Sequence, residues 1–340
     1  MEQIRYSRLV SIDKYLCGAF TGNDAIHTDR RKLRMIKVIA SDLDGTLLNN
    51  DHEISKETLD AINLAKDNGI RFMISTGRSF KNTMEALKKH SLECDYIMAS
   101  GAEIRDPKKK ILKQVPMDQS VFEELYHRIK RFKVGVHFCS DICEYVIGTK
   151  EEVEEQLIEQ TILFHRTGTR DEIIHSPEFR EMCKKSKRIN EIKELKQYPI
   201  YKIFISSDNE QLVKAIDEAI VDIPGIASAS SFSNNLELTH IEAQKGIALK
   251  EYITELGYTM EEVMALGDSM NDYSMLSMDF GVTVAMKNAM EEVKKAAKYM
   301  TLTNEENGVA YAIHKLLEGK IEELRVQKHW KLGKLLGLKH

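Results

Sequence analysis

The chain has 340 residues, 42% hydrophobic and 30% charged, with a net charge of −4. That length exceeds what one small core usually holds, so two domains are expected. The balance of charge shows no basic footprint for nucleic acid, and no uncharged apolar stretch reaches the length of a membrane span. Five scattered cysteines, Cys17, Cys94, Cys139, Cys143 and Cys183, read as reduced thiols in a cytoplasmic protein rather than as a disulfide framework.

Residues 1–34 are weakly periodic and read as an N-terminal extension. Asp13 and Lys14 interrupt any apolar core of a signal peptide there. The strong pattern starts at Met35, and Val38-Ile39-Ala40 is expected to be a buried strand running into Asp42 and Asp44. Ser55 is placed to cap a helix reaching about Asn68, with Leu59, Ile62 and Ala65 on one face. Gly69 ends it. A strand over 70–75, a helix bearing Phe80, Met84 and Leu87, and a strand over 95–100 complete a β-α-β-α-β alternation, which implies a parallel sheet covered by helices.

The pattern changes near residue 117. A helix over 118–132 precedes strands over 134–140 and 143–148. After more helical, polar sequence come a strand over 198–207, a helix from about Glu210, and strands over 226–231 and 235–240. Helices and strands without strict alternation suggest a separate α+β unit. From Lys245 the alternation returns, with a helix ending at Gly257 and strands over 263–268, 281–285 and 299–301 separated by helices. The expected fold is therefore α/β: a doubly wound, Rossmann-like parallel-sheet core from 35–116 and 239–320, an α+β cap over 117–238, and a basic tail over 321–340 that contains Trp330.

Ligands of open α/β sheets sit beyond the carboxyl ends of the strands. Asp42 and Asp44 lie beyond the first strand, and alternate residues of an extended segment point the same way, so both carboxylates can face one cavity. Two like charges there require a proton or a cation, and Mg²⁺ is the natural hard cation for oxygen ligands beside a phosphate. The chemistry suggested is phosphoryl transfer, with Asp42 attacking phosphorus and Asp44 as acid and base. Thr76 offers a hydroxyl and an N–H at the end of the second strand. Lys245 can neutralise charge on phosphorus. Asp268 can ligate a metal, and Asp272 can hold a metal-bound water or orient Lys245.

The sequence resembles the haloacid dehalogenase superfamily of phosphohydrolases, and within it the Cof-type branch with a large α+β cap. The stretches "DLDGTLL" (42–48), "ISTGR" (74–78), "KGIAL" (245–249) and "GDSMNDYSML" (267–276) match its motifs in order, and "TNEENGVAYAI" (303–313) is also similar. The resemblance covers about residues 35–318. It implies that Asp42 is nucleophile and metal ligand. Asp44 would be acid/base and a ligand through its backbone carbonyl, with Asp268 the third protein ligand of Mg²⁺. Thr76, Gly77, Lys245 and Asn271 would bind phosphate, supported by Asp272. One departure stands out: Ser100 occupies the place where the family usually has Asn before Gly101-Ala102.

Each residue also has a plainer reading. Asp-x-Asp-Gly can be a turn, Thr76 a turn residue, Lys245 a surface lysine, and Asp268 and Asp272 helix caps. Arg78 reads equally as an active-site cation or as an ion-pair partner at a helix start. His137, Cys139 and Cys143 have a spacing permissible for zinc, but no second pair follows, and alternation with Val134, Val136 and Phe138 makes His137 and Cys139 outward strand residues. Asn234 and Asn235 are polar contacts near a hinge or merely a turn. The expected function is a Mg²⁺-dependent phosphatase of small phosphomonoesters, sugar phosphates or related metabolites. Nucleic acid and membrane are not expected partners, and oligomeric state is left open. The alternatives are a phosphomutase or phosphotransferase of the same superfamily and a non-catalytic binding protein on this fold.

Overall fold

The computed structural model describes residues 36–90, 92–165, 169–231 and 234–326. The expected N-terminal extension, most of the basic tail, Cys17 and Trp330 lie outside them. In chain order the strands are β1 Val38–Ser41, β2 Arg71–Ser75, β3 Asp95–Met98, β4 Glu103–Arg105, β5 Ile111–Gln114, β6 Gly135–Cys139, β7 Glu144–Ile147, β8 Ser186–Ile189, β9 Lys202–Ser206, β10 Ile226–Ala229, β11 Asn235–His240, β12 Val263–Gly267, β13 Val282–Ala285 and β14 Tyr299–Met300. The helices are α1 Lys56–Asp67, α2 Phe80–Leu87, α3 Gln119–Ile129, α4 Lys150–His165, α5 Arg170–Ile174, α6 Pro177–Lys185, α7 Glu210–Ile220, α8 Lys245–Glu255, α9 Tyr273–Leu276, α10 Glu291–Ala296 and α11 Gly308–Leu317. The chain divides into two compact units, and among the described residues the first holds 36–74, 252–268 and 275–326, the second 75–251 and 269–274.

In the first unit the strands run in the order β14-β13-β12-β1-β2, each parallel to its neighbour. All four residues of β1 are buried, as a strand flanked on both edges and covered on both faces requires. That is why its sequence is a short apolar run without alternation. Helix α1 starts where Ser55 Oγ accepts the Thr58 N–H at 3.1 Å. It buries Thr58, Ala61, Ile62 and Ala65 and packs on α11. Its chain leaves through Gly69 at φ +78°, a left-handed conformation that glycine adopts without strain.

In the second unit β3, β4 and β5 form antiparallel neighbours. Strands β4 and β5 were not expected from the sequence. They are short and flank the polar turn Asp106-Pro107-Lys108-Lys109-Lys110, and β5 is mostly exposed. The six-stranded sheet runs β10-β11-β9-β6-β7-β8 and is antiparallel except between β7 and β8. Val136, Phe138, Ile203, Ile205, Leu236 and Leu238 pack on Phe122, Leu125 and Ile129 of α3 and Val213 and Ile216 of α7. A smaller core joins Val146 of β7 to Val153, Leu157 and Ile158 of α4, Ile173 of α5 and Phe179 of α6.

One expectation needs correcting here. His137 does lie opposite Val136 and Phe138, but it is 1% exposed and not at the surface. Helix α4 covers that side: a Cβ on Gly135 would lie 3.6 Å from both the Gln156 Cβ and His137 Nε2. Alternation reveals which residues share a face, not whether a later helix covers it. Among the described residues, no helix is long and apolar enough to cross a membrane.

Candidate functional site

The residues expected to carry the chemistry gather in two constellations, one in each unit. In the first, Asp42 follows β1 directly and is 4% exposed. Its N–H donates to the Leu266 carbonyl at 3.0 Å, extending the β1–β12 ladder one residue. The parallel register pairs Ser41 with Leu266, so Asp42 and Asp268 emerge from the same end of neighbouring strands. Carboxylate oxygens of these two residues lie within 4.8 Å of each other.

The turn after Asp42 is built around that pair. Gly45 has φ +75°, and a Cβ there would sit 2.5 Å from Asp268 Oδ2, so only glycine allows the backbone this close. Thr46 Oγ donates to Asp268 Oδ1 at 2.7 Å. Asn288 Nδ2 donates to the Gly45 carbonyl at 2.8 Å. Asn304 Nδ2 donates to the Leu48 carbonyl at 3.0 Å, and its N–H to Asn288 Oδ1 at 3.1 Å. Sequence reasoning did not find Asn288 or Asn304, because side chains that hold a distant turn have no local signature. Asp44, partly exposed, immediately precedes Gly45. Two carboxylates this close repel unless a proton or cation compensates. An all-oxygen donor set beside this turn fits a hard divalent cation, which Asp42 and Asp268 could hold.

In the second unit, Thr76 follows β2 and is fully buried. Its N–H donates to the Ile97 carbonyl at 2.8 Å, and its own carbonyl accepts the Ser100 N–H at 3.0 Å. Its Oγ accepts the Arg78 N–H at 3.2 Å. Lys245 opens α8 with its side chain wholly buried, and Nζ donates to Asp272 Oδ1 at 2.6 Å, a carboxylate equally buried. Nζ also donates to Asn271 Oδ1 at 2.9 Å. Asp272 Oδ2 accepts the Ser269 N–H at 3.0 Å, and Ser269 Oγ donates to Asn271 Oδ1 at 2.9 Å. A buried ion pair persists only with such supporting hydrogen bonds. Of the two expected uses of Asp272, the structure shows it on Lys245.

The same unit brings in residues that sequence reasoning missed. Lys202 Nζ donates to the Gly77 carbonyl at 2.8 Å and to Glu237 Oε2 at 3.2 Å. Ser100 Oγ donates to Glu237 Oε2 at 3.1 Å, and Ser231 Oγ donates to Glu237 Oε1. Burial pushes the Glu237 carboxyl up, but Lys202, Ser231 and the more distant Lys245 outweigh it and hold the group below the usual carboxylate range. Burial likewise pulls the Lys202 ammonium down, and Glu237 with other neighbours more than offsets it. Alternation along β11 puts Glu237 and Thr239 on the face opposite Leu236 and Leu238, the one signal in the sequence that could have pointed at Glu237. Asn234 and Asn235 instead hold the chain beside β11. The Asn234 carbonyl accepts the Ser207 N–H at 3.0 Å, and Asn235 Oδ1 accepts the Ser231 N–H at 3.1 Å.

Residues 39–313 match the family model described as haloacid dehalogenase-like hydrolase. The chain belongs to that family. Among its relatives, Phosphatase YwpJ of Bacillus subtilis is 30% identical over 289 residues, which cover 83% of this chain and 100% of that one. The 5-amino-6-(5-phospho-D-ribitylamino)uracil phosphatase YcsE of the same organism is 31% identical over 278 residues, 82% of this chain and 94% of that one. A solved haloacid dehalogenase-like hydrolase from B. subtilis superposes with a TM-score of 0.70 at 28% identity, covering 82% of this chain and 99% of that one. The haloacid dehalogenase-like chain described here is accordingly a phosphoric monoester hydrolase.

Proposed function

We propose that this hydrolase is a Mg²⁺-dependent, cytoplasmic phosphatase of small phosphomonoesters, sugar phosphates or related metabolites, working through an aspartyl-phosphate on Asp42. The observation that carries the reading is the pair of carboxylates, Asp42 and Asp268, held within 4.8 Å at the ends of β1 and β12 beneath a glycine turn. A structural role would not require like charges so close, whereas a metal-assisted nucleophile does.

The roles are as follows. An Asp42 oxygen attacks phosphorus as the bond from phosphorus to the ester oxygen breaks, and Asp44 gives its proton to that oxygen. Asp44 then takes a proton from water, which attacks the same phosphorus and releases inorganic phosphate and free Asp42. Asp42, Asp268 and the Asp44 carbonyl would hold Mg²⁺, which would supply charge neutralisation to the phosphoryl oxygens when bound. Thr76, Gly77, Asn271 and Lys245 bind phosphate, with Asp272 seating the lysine. Residues 117–238 act as a cap that selects the leaving group, using binding energy from the non-reacting part of the substrate. YcsE bears the name of a phosphatase acting on a phosphorylated ribityl compound, which supports a small polyol or sugar ester.

The test is a hydrolysis screen over sugar phosphates, nucleotides and cofactor phosphates. Turnover should vanish with excess chelator, return with Mg²⁺ and release inorganic phosphate. Asp42→Asn should lower it by roughly 10⁴-fold or more. Mg²⁺ should raise the Tm of the wild type and not that of Asp268→Asn. Full activity in chelator, or a phosphoryl group trapped on another residue in the Asp42 variant, overturns the reading.

A further inference from the structure

Glu237 is the point in the second unit where several separate segments converge. Ser100 after β3, Lys202 of β9 and Ser231 after β10 all donate to its carboxylate. A Cβ on Gly77, after β2, would lie 3.4 Å from Glu237 Oε2 and 3.3 Å from Asn271 Nδ2. Glu237 is 4% exposed and has no part in the reaction described above.

The direction of each hydrogen bond follows from chemistry. An ionised carboxylate only accepts, so the Ser231 hydroxyl proton must point at Glu237. The Ser231 oxygen is thereby left to accept, and Asn271 Nδ2 donates to it at 3.2 Å. The Asn271 carbonyl must then face the other way, where it accepts from Lys245 Nζ at 2.9 Å and from Ser269 Oγ at 2.9 Å. An ammonium only donates, so a flipped amide would set NH₂ against Nζ and lose that bond. A neutral group in place of Glu237 could donate to Ser231, freeing the Ser231 hydroxyl to donate in turn, which would remove the restraint on the amide's NH₂ end and leave Lys245 and Ser269 to hold its carbonyl end alone.

We propose that Glu237 is a positioning residue that, through Ser231, sets the amide orientation of Asn271 and so the seat of Lys245. The proposal rests on the phosphatase reading, in which Asn271 and Lys245 bind phosphate. Lys202 completes the arrangement: it is the counter-charge to Glu237 and ties the same carboxylate to the turn carrying Thr76 and Gly77.

The experiment is a double-mutant cycle with para-nitrophenyl phosphate and Mg²⁺, with inorganic phosphate as inhibitor. Ser231→Ala keeps the Lys202–Glu237 pair intact and removes only the relay. It should lower kcat/KM about tenfold, the loss of one well-placed hydrogen bond, weaken inhibition by phosphate and leave Tm close to wild type. In an Asn271→Ala background Ser231→Ala should have no further effect. Ser231→Thr, which retains the hydroxyl, should restore most activity. Glu237→Gln should show the same dependence on Asn271, and if it proves too unstable, Ser231→Ala carries the test alone. If the losses from Ser231→Ala and Asn271→Ala simply multiply, or Ser231→Ala matches wild type, Glu237 acts only as packing and the proposal falls. Asp42→Asn, run in parallel, separates the two readings. Undiminished turnover in that variant removes the mechanism, whereas a dead Asp42→Asn beside an unaffected Ser231→Ala removes only the positioning role.

Discussion

At the ends of β1 and β12, Asp42 and Asp268 bring like charges within 4.8 Å, whereas at the start of α8 Lys245 meets Asp272 at 2.6 Å with neither side chain exposed. In the first arrangement carboxylate oxygens lie within 4.8 Å of each other, and at an effective dielectric of about 20 two unit charges that close repel by on the order of 3 kcal/mol. In the second, each charge carries its own neutraliser, which offsets the cost of burying it. Like charges held together mark where an external cation is expected, and matched charges mark a preorganised part. The same contrast predicts opposite responses to mutation.

Removing one partner from the matched pair should have the largest effect on stability. Lys245→Met leaves the Asp272 carboxylate buried without its ammonium, which typically costs about 3–5 kcal/mol. Chemical denaturation would measure it. Lys245→Met/Asp272→Leu should recover most of that stability, since an apolar pair of similar volume avoids desolvation, and should recover none of the activity. Asp42→Asn should behave oppositely, with activity lost and stability unchanged or higher. If Asp42→Asn were as destabilised as Lys245→Met, the two regions would not differ in the way described.

The parts of this contrast that were legible in the sequence are those that lie where a strand stops. Asp42 and Asp268 follow apolar runs, Thr76 follows another, and Lys245 opens the helix where the alternation resumes. Each is marked by the abrupt change from a buried strand to a polar turn. Lys202, Ser231 and Glu237 carry no such mark. They sit in or beside strands of an antiparallel sheet, where alternation says that a residue shares a face with others but not which partner lies across from it. Register does that, and register depends on pairings such as Thr239 with Lys202 and Glu237 with Phe204. His137 was misjudged for a related reason, since the helix that covers it comes later in the chain.

The Lys202–Glu237 pair sharpens the comparison through pH. A carboxyl held low in the folded state contributes stability above its unfolded value, about 4.3, and loses it as pH falls through the depressed folded value. An ammonium held high contributes below its unfolded value, about 10.4, and loses it as pH rises through the elevated one. Cys139 and Glu144 face Lys202, and Lys245 acts on Glu237, but none of these changes either sign. The stability difference between wild type and Glu237→Gln/Lys202→Met should therefore be flat from about pH 5 to pH 10 and change toward both extremes. Denaturation curves across that range that stayed parallel beyond both ends would show that the pair's ionisation contributes nothing.

The smallest effect is expected at Ser100, the departure from the family's usual Asn. Its backbone is left-handed, at φ 59° and ψ 26°, a region in which asparagine is several-fold enriched over other non-glycine residues. Its hydroxyl donates to Glu237, and a Cβ on Gly77 would lie only 3.3 Å from it. Ser100→Asn should gain a few tenths of a kcal/mol from the backbone, and its amide can still donate to Glu237. Fitting the longer side chain beside Gly77 takes some of that back, so the net change should stay within about 0.5 kcal/mol. Ser100→Ala keeps the strained backbone and loses the donor, which should cost about 1 kcal/mol. The expected order of stability is Asn at or above Ser, and both above Ala, measured by thermal and chemical denaturation. Because Lys202 and Ser231 still hold Glu237 in every case, kcat/KM should stay within about threefold of wild type. An alanine variant as stable as wild type would mean that the serine donor adds nothing to a carboxylate that Lys202 and Ser231 already satisfy.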